Sequence, residues 1–155
     1  MTPRIDILKA THSKAIQPLL ALQAFVDSSG LDHRLLHLVK MRASQINGCA
    51  YCLDMHSEDA RAIGESEQRL YALDAWREKP FFTDRERAAL EWTEALTLVT
   101  DGHVPDEIFA SVRTQFQESE LVNLTFAVTA INSWNRLCIG FRAVPGNYKP
   151  KVHAA

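Results

Sequence analysis

The most informative segment of the chain holds two cysteines and a histidine at helical spacing. It reads Ser44-Gln45-Ile46-Asn47-Gly48-Cys49-Ala50-Tyr51-Cys52, and His56 follows one turn later. Asn and Gly tolerate the left-handed conformation that ends a helix, so Asn47-Gly48 predicts a break between two helices. Cys49 then lies in the first turn of the second helix, where unpaired N–H groups and the helix dipole favour a thiolate. Because residues three and four apart share a helix face, Cys49, Cys52 and His56 are predicted to form one row.

Helical periodicity extends from this segment in both directions. Upstream, Asp32 is the predicted N-cap of the preceding helix, and Pro18 fits the first turn of an earlier one. Downstream, Thr83 and Glu86 match a capping box, in which each side chain satisfies a free N–H group of the other residue. A long apolar helix is predicted from about residue 119 to about residue 140.

These patterns define the predicted fold class. No segment alternates apolar and polar residues with the two-residue period of a strand. We therefore predict an all-α, single-domain helical bundle of about six or seven helices that spans residues 1–155. The core is expected at about residues 13–145, followed by a polar C-terminal tail after Pro145. The helix opened by Pro105 is predicted to turn Phe109 and Val112 inward.

Composition and charge argue against several classes of protein. The 155 residues carry a formal net charge of −2 without a basic run, so no nucleic-acid partner is expected. Polar residues interrupt the longest apolar region, and the N-terminal residues lack the apolar stretch of a signal peptide, so no membrane association is expected. Three cysteines, two of them in one CxxC motif, favour a reducing cytoplasm over a secreted disulfide framework.

A single CxxC motif is compatible with three kinds of site. It can form a dithiol–disulfide couple, half of a zinc site, or a pair of unrelated core cysteines. The chain has no second CxxC for a four-cysteine zinc site, and no alternating strands and helices as in thioredoxin-like proteins. His56 favours redox chemistry, because an imidazole can accept the thiol proton and the thiolate is the reactive species. The residues alone leave all three kinds of site open.

The segment resembles the core signature of the alkylhydroperoxidase D and carboxymuconolactone decarboxylase-like family. The resemblance extends over nearly the whole chain and includes Leu38-Val39-Lys40-Met41-Arg42, Glu86-Arg87, Trp92-Thr93-Glu94-Ala95-Leu96-Thr97 and Ile131-Asn132-Ser133-Trp134-Asn135-Arg136-Leu137. It implies an all-helical protein that assembles as a homo-oligomer, often a trimer or a hexamer. Members with the CxxC motif are thiol-dependent hydroperoxidases, whereas decarboxylase relatives do not depend on it. The resemblance therefore implies a peroxidase.

The resemblance also implies a role for each site residue. Cys52 attacks an organic or hydrogen peroxide and becomes a sulfenic acid, and Cys49 condenses with it to a disulfide. His56 is the base that activates the Cys52 thiol, directly or through water. An external dithiol of the lipoyl or thioredoxin-like type reduces the disulfide, and no cofactor is implied. The attacking cysteine is assigned by resemblance only, since the helix dipole by itself favours Cys49.

His37 departs from the family pattern, which usually places a glutamate of the proton relay at this position. An imidazole relays protons but supplies no permanent negative charge, so we expect a weaker relay or one rebuilt around another carboxylate such as Glu94. The change also creates a possible zinc ligand set of Cys49, Cys52, His56 and His37. A zinc-binding module or a redox-sensing oligomer using this cluster, and a decarboxylase-type enzyme of the same fold, are the alternative hypotheses.

Three residues of the last helix are predicted to be structural. Cys138 is expected to be a small buried hydrophobic side chain. Asn132 and Asn135 lie on a mostly buried helix, where an amide needs hydrogen-bond partners, and this favours a structural role for both.

Overall fold

The computed structural model describes residues 2–6, 14–78 and 80–150, and in these ranges the regular structure is helical, without a strand. The described residues form seven α-helices: α1 (Gln17–Asp27), α2 (His33–Asn47), α3 (Ala50–Ala62), α4 (Glu67–Ala72), α5 (Asp84–Thr97), α6 (Asp106–Arg113) and α7 (Glu118–Phe141). Short 3-10 helices precede α1 at Lys14–Ile16 and follow α4 at Leu73–Ala75. The predicted all-α fold class is confirmed.

Local signals begin and end these helices where the sequence predicts them. The Asp32 carboxylate accepts hydrogen bonds from the N–H groups two and three residues further on, at 2.7 and 3.1 Å, and so caps α2. Gly48 ends α2 in the left-handed conformation at φ 68°, which glycine adopts without steric penalty. Thr83 and Glu86 form the predicted reciprocal capping box at the start of α5.

Helix α2 occupies a central position and packs against α3, α5 and α7. Its buried side chains are Leu35, Leu36, Leu38, Val39, Lys40, Met41, Ala43 and Ser44. Helix α7 packs against α1, α2 and α5, and its buried side chains are Leu121, Leu124, Ala127, Val128, Ala130, Ile131, Asn135 and Cys138. The break between α2 and α3 is thereby enclosed by α7, which places the CxxC motif inside the core.

Helix α7 also exposes apolar side chains, although its sequence predicts burial on most sides. Val122, Phe126 and Ile139 are between 44 and 49% exposed. Leu20 and Phe25 of α1 are exposed as well, and the rings of Phe25 and Phe126 meet edge to face with centroids 5.7 Å apart. We refer to Phe25, Phe126 and Val122, which precedes Phe126 by one helical turn, as the apolar patch.

The prediction for Phe109 is wrong. Its side chain is 49% exposed and lines a surface groove of about 520 Å³ together with Trp92 and Phe126. Helix α6 is only eight residues long, and Val112 is its one buried residue. The spacing of its apolar residues shows that α6 is amphipathic. It does not show how much of the helix surface the neighbouring helices bury.

The segment after Pro145, predicted to be a polar tail, packs on α3. The N–H group of Gly146 donates a hydrogen bond to Asp54 at 2.7 Å, and the Tyr148 hydroxyl donates one to Asp59, also at 2.7 Å. Residues 151–155 of the predicted tail, and residue 13 at the predicted edge of the core, lie outside the described residues. In the described ranges no helix is both long and apolar enough to cross a membrane.

Candidate active site around the paired cysteines

Cys49 and Cys52 form a buried pair of thiols at the start of α3. Cys49 is the N-cap residue of the helix, one position before the predicted first turn, and its N–H group donates to the Ser44 carbonyl at 2.9 Å. Both cysteines are 1% exposed, and their Sγ atoms lie 2.6 Å apart. They are free thiols. Since a disulfide requires about 2.05 Å, a small side-chain movement suffices to join the two sulfur atoms.

A third thiol completes this cluster. Cys138 of α7 is buried, as predicted, but its Sγ atom lies within 4.8 Å of those of both Cys49 and Cys52. Tyr51 and Trp134 pack against the cluster and are only partly buried. Sequence reasoning missed the third thiol because its position depends on how α7 packs against the break between α2 and α3.

Hydrogen bonds between the three thiols favour one thiolate. Hydrogen bonds from Cys138 and Cys52 lower the pKa of Cys49, against the opposing effect of burial. Hydrogen bonds with Cys138 and Cys49, together with burial, raise the pKa of Cys52. The N-terminus of α3 favours negative charge at the same end of the helix. Of the two paired thiols, Cys49 is therefore the one with the lowered pKa.

An amide network fixes the helix break to α7. Asn135 is fully buried; its Nδ2 donates to Ser44 Oγ at 3.0 Å, and its Oδ1 accepts from Asn47 Nδ2 at 2.8 Å. The same Asn47 nitrogen donates to Asn132 Oδ1 at 2.9 Å. These hydrogen bonds agree with the structural role predicted for both asparagines of α7, and they hold the residues that precede Cys49.

His37 and His56 come together on the α2 side of α3. Their ring centroids are 5.7 Å apart, and His56 is 6% exposed. Within the described part of the chain, the buried Nδ1 atom of each ring has no hydrogen-bond partner. Burial and the nearby Lys40 charge lower the pKa of His37 to about 4 and hold the pKa of His56 well below its usual value. Both imidazoles are therefore neutral at physiological pH.

Asp59 is the carboxylate beside His56. Its Oδ2 atom lies 3.9 Å from His56 Nδ1, and its Oδ1 atom accepts the hydrogen bond from Tyr148. Burial raises the pKa of Asp59. Sequence reasoning missed this residue, although its position three residues after His56 on the same helix was a usable signal.

Glu94 does not take the relay position. Its Oε1 accepts from Arg42 Nε at 2.7 Å and from Trp76 Nε1 at 2.6 Å, and its Oε2 pairs with Arg77 at 2.6 Å. Although burial opposes it, these hydrogen bonds lower the pKa of Glu94. The guess that Glu94 replaces the family glutamate is wrong, because both carboxylate oxygens already have cationic or indole partners.

The predicted zinc ligand set is not assembled. Among the described residues, potential ligand atoms that lie within 4.8 Å of one another form two separate groups, one of three cysteines and one of His37, His56 and Asp59. A tetrahedral site of Cys49, Cys52, His56 and His37 requires all four ligand atoms within that distance of one another. That prediction is wrong, because it assumed that sequence spacing alone brings the histidines and the thiols to one point.

A buried dithiol at the break between two helices, with a histidine one turn later, defines an all-helical protein of the alkylhydroperoxidase D type. The sequence model of the carboxymuconolactone decarboxylase family matches residues 14–95. The chain belongs to this family. The protein YdfG of Bacillus subtilis is 43% identical over 121 residues, which cover 78% of this chain and 82% of YdfG.

Solved structures show the same fold. ATU0492 from Agrobacterium tumefaciens, a protein of unknown function described as a candidate antioxidant defence protein AhpD, superposes with a TM-score of 0.90 at 44% identity. The match covers 95% of this chain and 100% of that chain. A peroxidase-related protein from Ralstonia eutropha, described as an alkylhydroperoxidase AhpD core, gives a TM-score of 0.79 at 17% identity, covering 95% of this chain and 78% of its own. At this identity the second likeness concerns the fold alone.

Proposed function

We propose that this chain is a thiol-dependent peroxidase that reduces organic or hydrogen peroxides through Cys49 and Cys52. The observation that carries the proposal is the pair of free, buried sulfur atoms 2.6 Å apart at the start of α3. A thiolate attacks the O–O bond, and a second thiol at this distance resolves the product before it is oxidised further. The likeness to the candidate antioxidant protein of Agrobacterium supports the same activity.

The proposed cycle consumes one peroxide and two thiols. The Cys52 thiolate attacks the terminal peroxide oxygen, the O–O bond breaks, and the other oxygen leaves as an alcohol or water after it takes up a proton. Cys49 then attacks the Cys52 sulfenic acid, and water leaves as the disulfide forms. An external dithiol of the lipoyl or thioredoxin-like class reduces the disulfide and is itself oxidised. The cycle requires no cofactor.

Cys52 is proposed as the attacking sulfur because His56 lies one helical turn after it, on the same face of α3. The neutral His56 accepts the Cys52 proton, directly or through water, and returns it to the leaving oxygen. His37 lies beside His56 and serves as the next member of the relay. The hydrogen bonds that lower the pKa of Cys49 argue for the opposite assignment, so the experiment must test each cysteine separately.

Access to the thiols is restricted. Both reacting sulfurs belong to residues that are 1% exposed, and the partly buried Tyr51 and Trp134 pack against them. A peroxide therefore reaches the pair only when neighbouring side chains move. The site admits small or slender hydroperoxides more readily than bulky ones.

We also propose a homo-oligomer, with a trimer or a hexamer as the expected size, in a reducing compartment such as the cytoplasm. The apolar patch on α1 and α7 supports the assembly, because clustered apolar side chains on a surface mark a protein interface. The groove between α5, α6 and α7 adjoins the patch at Phe126 and Val122. A second copy of the chain is the proposed occupant.

Thiol counting on the fully reduced protein tests the peroxidase. We expect one equivalent of an organic hydroperoxide to remove two thiols and give a Cys49–Cys52 disulfide in a mass-spectrometric map. Cys52→Ser should abolish peroxide consumption, whereas Cys138→Ala, the matched control, should keep the loss of two thiols. Retention of all three thiols in the unaltered protein contradicts the activity. Full turnover by Cys52→Ser contradicts the assignment of the attacking sulfur.

A further inference from the structure

His37, His56 and Asp59 form a cluster that the peroxidase cycle does not fully explain. The Nδ1 atoms of both histidines are buried, and in the described ranges neither has a hydrogen-bond partner. Buried polar atoms are almost always paired, because an unpaired one loses its hydration without compensation. We propose that these three residues form a binding site for a divalent transition-metal ion of the zinc class.

The three side chains supply a suitable ligand set. Two neutral imidazole nitrogens and one carboxylate oxygen are ligands that zinc and cobalt(II) accept, with a further position left for water. The candidate ligand atoms all lie within 4.8 Å of one another. Ligands bound at about 2.0–2.1 Å from one ion lie roughly 3.3 Å apart. The 3.9 Å between His56 Nδ1 and Asp59 Oδ2 closes to that value with a small side-chain rotation.

A surrounding hydrogen bond orients the carboxylate. The Tyr148 hydroxyl donates to Asp59 Oδ1 at 2.7 Å, which leaves Oδ2 directed at His56. Metal-binding carboxylates are commonly held by such an outer partner. Two helices and the C-terminal segment thus converge on the site, since His37 belongs to α2 and Tyr148 follows α7.

The charge of Lys40 opposes a cation near this cluster, since it contributes to the lowered pKa of both histidines. Its ammonium group is paired with Asp27 Oδ1 at 3.1 Å, which offsets part of this repulsion. Together with the negative charge of Asp59, this pairing allows the cluster to accept a divalent ion, although Lys40 weakens the binding.

The inference does not rest on the proposed peroxidase, but it has a consequence for it. An ion bound at His56 Nδ1 leaves the other ring nitrogen protonated, so His56 no longer accepts a thiol proton. Bound metal would then inhibit peroxide reduction through the histidines rather than through the thiols. The cysteine cluster is a separate group of potential ligands and would bind metal through sulfur.

Cobalt(II) distinguishes the two clusters, because thiolate ligands give an intense near-ultraviolet charge-transfer band that histidine and carboxylate ligands lack. Tag-free, fully reduced protein is titrated with cobalt(II) and followed by absorption, and zinc(II) binding is measured by calorimetry. We expect about one ion per chain, weak visible bands and no thiolate band. His37→Gln should weaken binding by roughly tenfold or more, and Asp59→Asn provides a second test if the first variant is unstable.

Two variants serve as controls. His103→Gln removes an exposed imidazole from the loop before α6, and Cys49→Ser/Cys52→Ser removes the paired thiols; both should bind cobalt(II) as the unaltered protein does. Absence of binding to the unaltered protein overturns the inference. Unchanged affinity for cobalt(II) in the folded His37→Gln and Asp59→Asn variants would also overturn it. So would a thiolate charge-transfer band that is present in the unaltered protein and absent from Cys49→Ser/Cys52→Ser. None of these results depends on peroxide turnover.

Discussion

The Sγ atoms of Cys138 and Cys52 lie within 4.8 Å of each other, although the two residues belong to α7 and α3. Cys138 also shifts the pKa values of the two thiols of the CxxC motif in opposite directions: it lowers that of Cys49 and raises that of Cys52. The candidate redox pair is therefore part of a cluster of three sulfur atoms. This arrangement changes what the removal of one cysteine should produce.

Cys49→Ser should form a Cys52–Cys138 disulfide after one equivalent of hydroperoxide. The Cys52 sulfenic acid then lacks its usual partner, and Cys138 is the thiol within reach. Disulfide mapping by mass spectrometry checks the product. In the matched control, Cys49→Ser/Cys138→Ala, the sulfenic acid should persist and react with a dimedone-type reagent. A persistent sulfenic acid in the single variant would show that Cys138 does not resolve it.

Asn135→Ala should lower the free energy of unfolding by about 2–4 kcal/mol. The change removes the hydrogen bonds to Ser44 and Asn47 and leaves a cavity at a fully buried position. Urea denaturation measures the loss. Asn123→Ala is the control, because that half-buried amide of α7 makes one hydrogen bond, to the Ser29 carbonyl, and its loss should cost about 1 kcal/mol. Equal effects of the two substitutions would mean that the network does not stabilise the helix break.

The ion pair between Glu86 and Arg69 should make stability depend on pH. Although burial opposes it, hydrogen bonds from Arg69 and Thr83 hold the pKa of Glu86 below its usual value of 4.5. A carboxylate with a lowered folded-state pKa stabilises the fold above its unfolded-state pKa, and this contribution is lost as pH falls through the folded-state pKa. The unfolding free-energy difference between the unaltered protein and Glu86→Gln should therefore shrink from pH 6 toward pH 3.

Arg69→Gln is the matched variant for this experiment. It removes the cation that lowers the pKa of Glu86, so the stability of this variant should fall less steeply with acid than that of the unaltered protein. Denaturation curves at several pH values give both comparisons. If the unfolding free-energy difference between the unaltered protein and Glu86→Gln stays constant with pH, the ion pair between Glu86 and Arg69 is not the source of the pH dependence.

Several predictions that depended only on neighbouring residues in the chain are confirmed. Asp32 as an N-cap, Gly48 as a helix end and the Thr83–Glu86 capping box each involve backbone groups within a few residues. Such signals act locally, so they can be interpreted without knowledge of the packing. They were sufficient to predict the helices and to place the CxxC motif at the start of one of them.

Features created by helix packing were not predictable in this way. Cys138 joins the thiols only because α7 packs against the helix break, and Tyr148 reaches Asp59 only because the C-terminal segment packs on α3. Glu94 is bound by Arg42 and Trp76, from two other segments. Spacing within one helix identifies its face, but the opposing side chains depend on contacts between distant segments.

Phe126→Glu should reduce the size of the proposed homo-oligomer. The side chain is 44% exposed within the apolar patch, and a carboxylate there would have to be buried without a partner in an interface. Light scattering after size-exclusion chromatography gives the mass. Tyr71→Glu is the control, since Tyr71 is 79% exposed on α4, away from the patch, and its change should leave the mass unaltered. An unchanged mass for Phe126→Glu would place the interface elsewhere.

Tyr148→Phe should weaken cobalt(II) binding by roughly tenfold while the protein stays folded. The hydroxyl holds Asp59 through a 2.7 Å hydrogen bond, and without it the carboxylate is free to rotate away from His56. Calorimetric titration with cobalt(II) or zinc(II) measures the change, and circular dichroism verifies the helices. Tyr71→Phe removes an exposed hydroxyl from α4 and should leave the affinity unchanged. Equal affinities for Tyr148→Phe and the unaltered protein would show that Asp59 is not oriented for metal by the C-terminal segment, and the carboxylate would then have to be positioned by α3 alone.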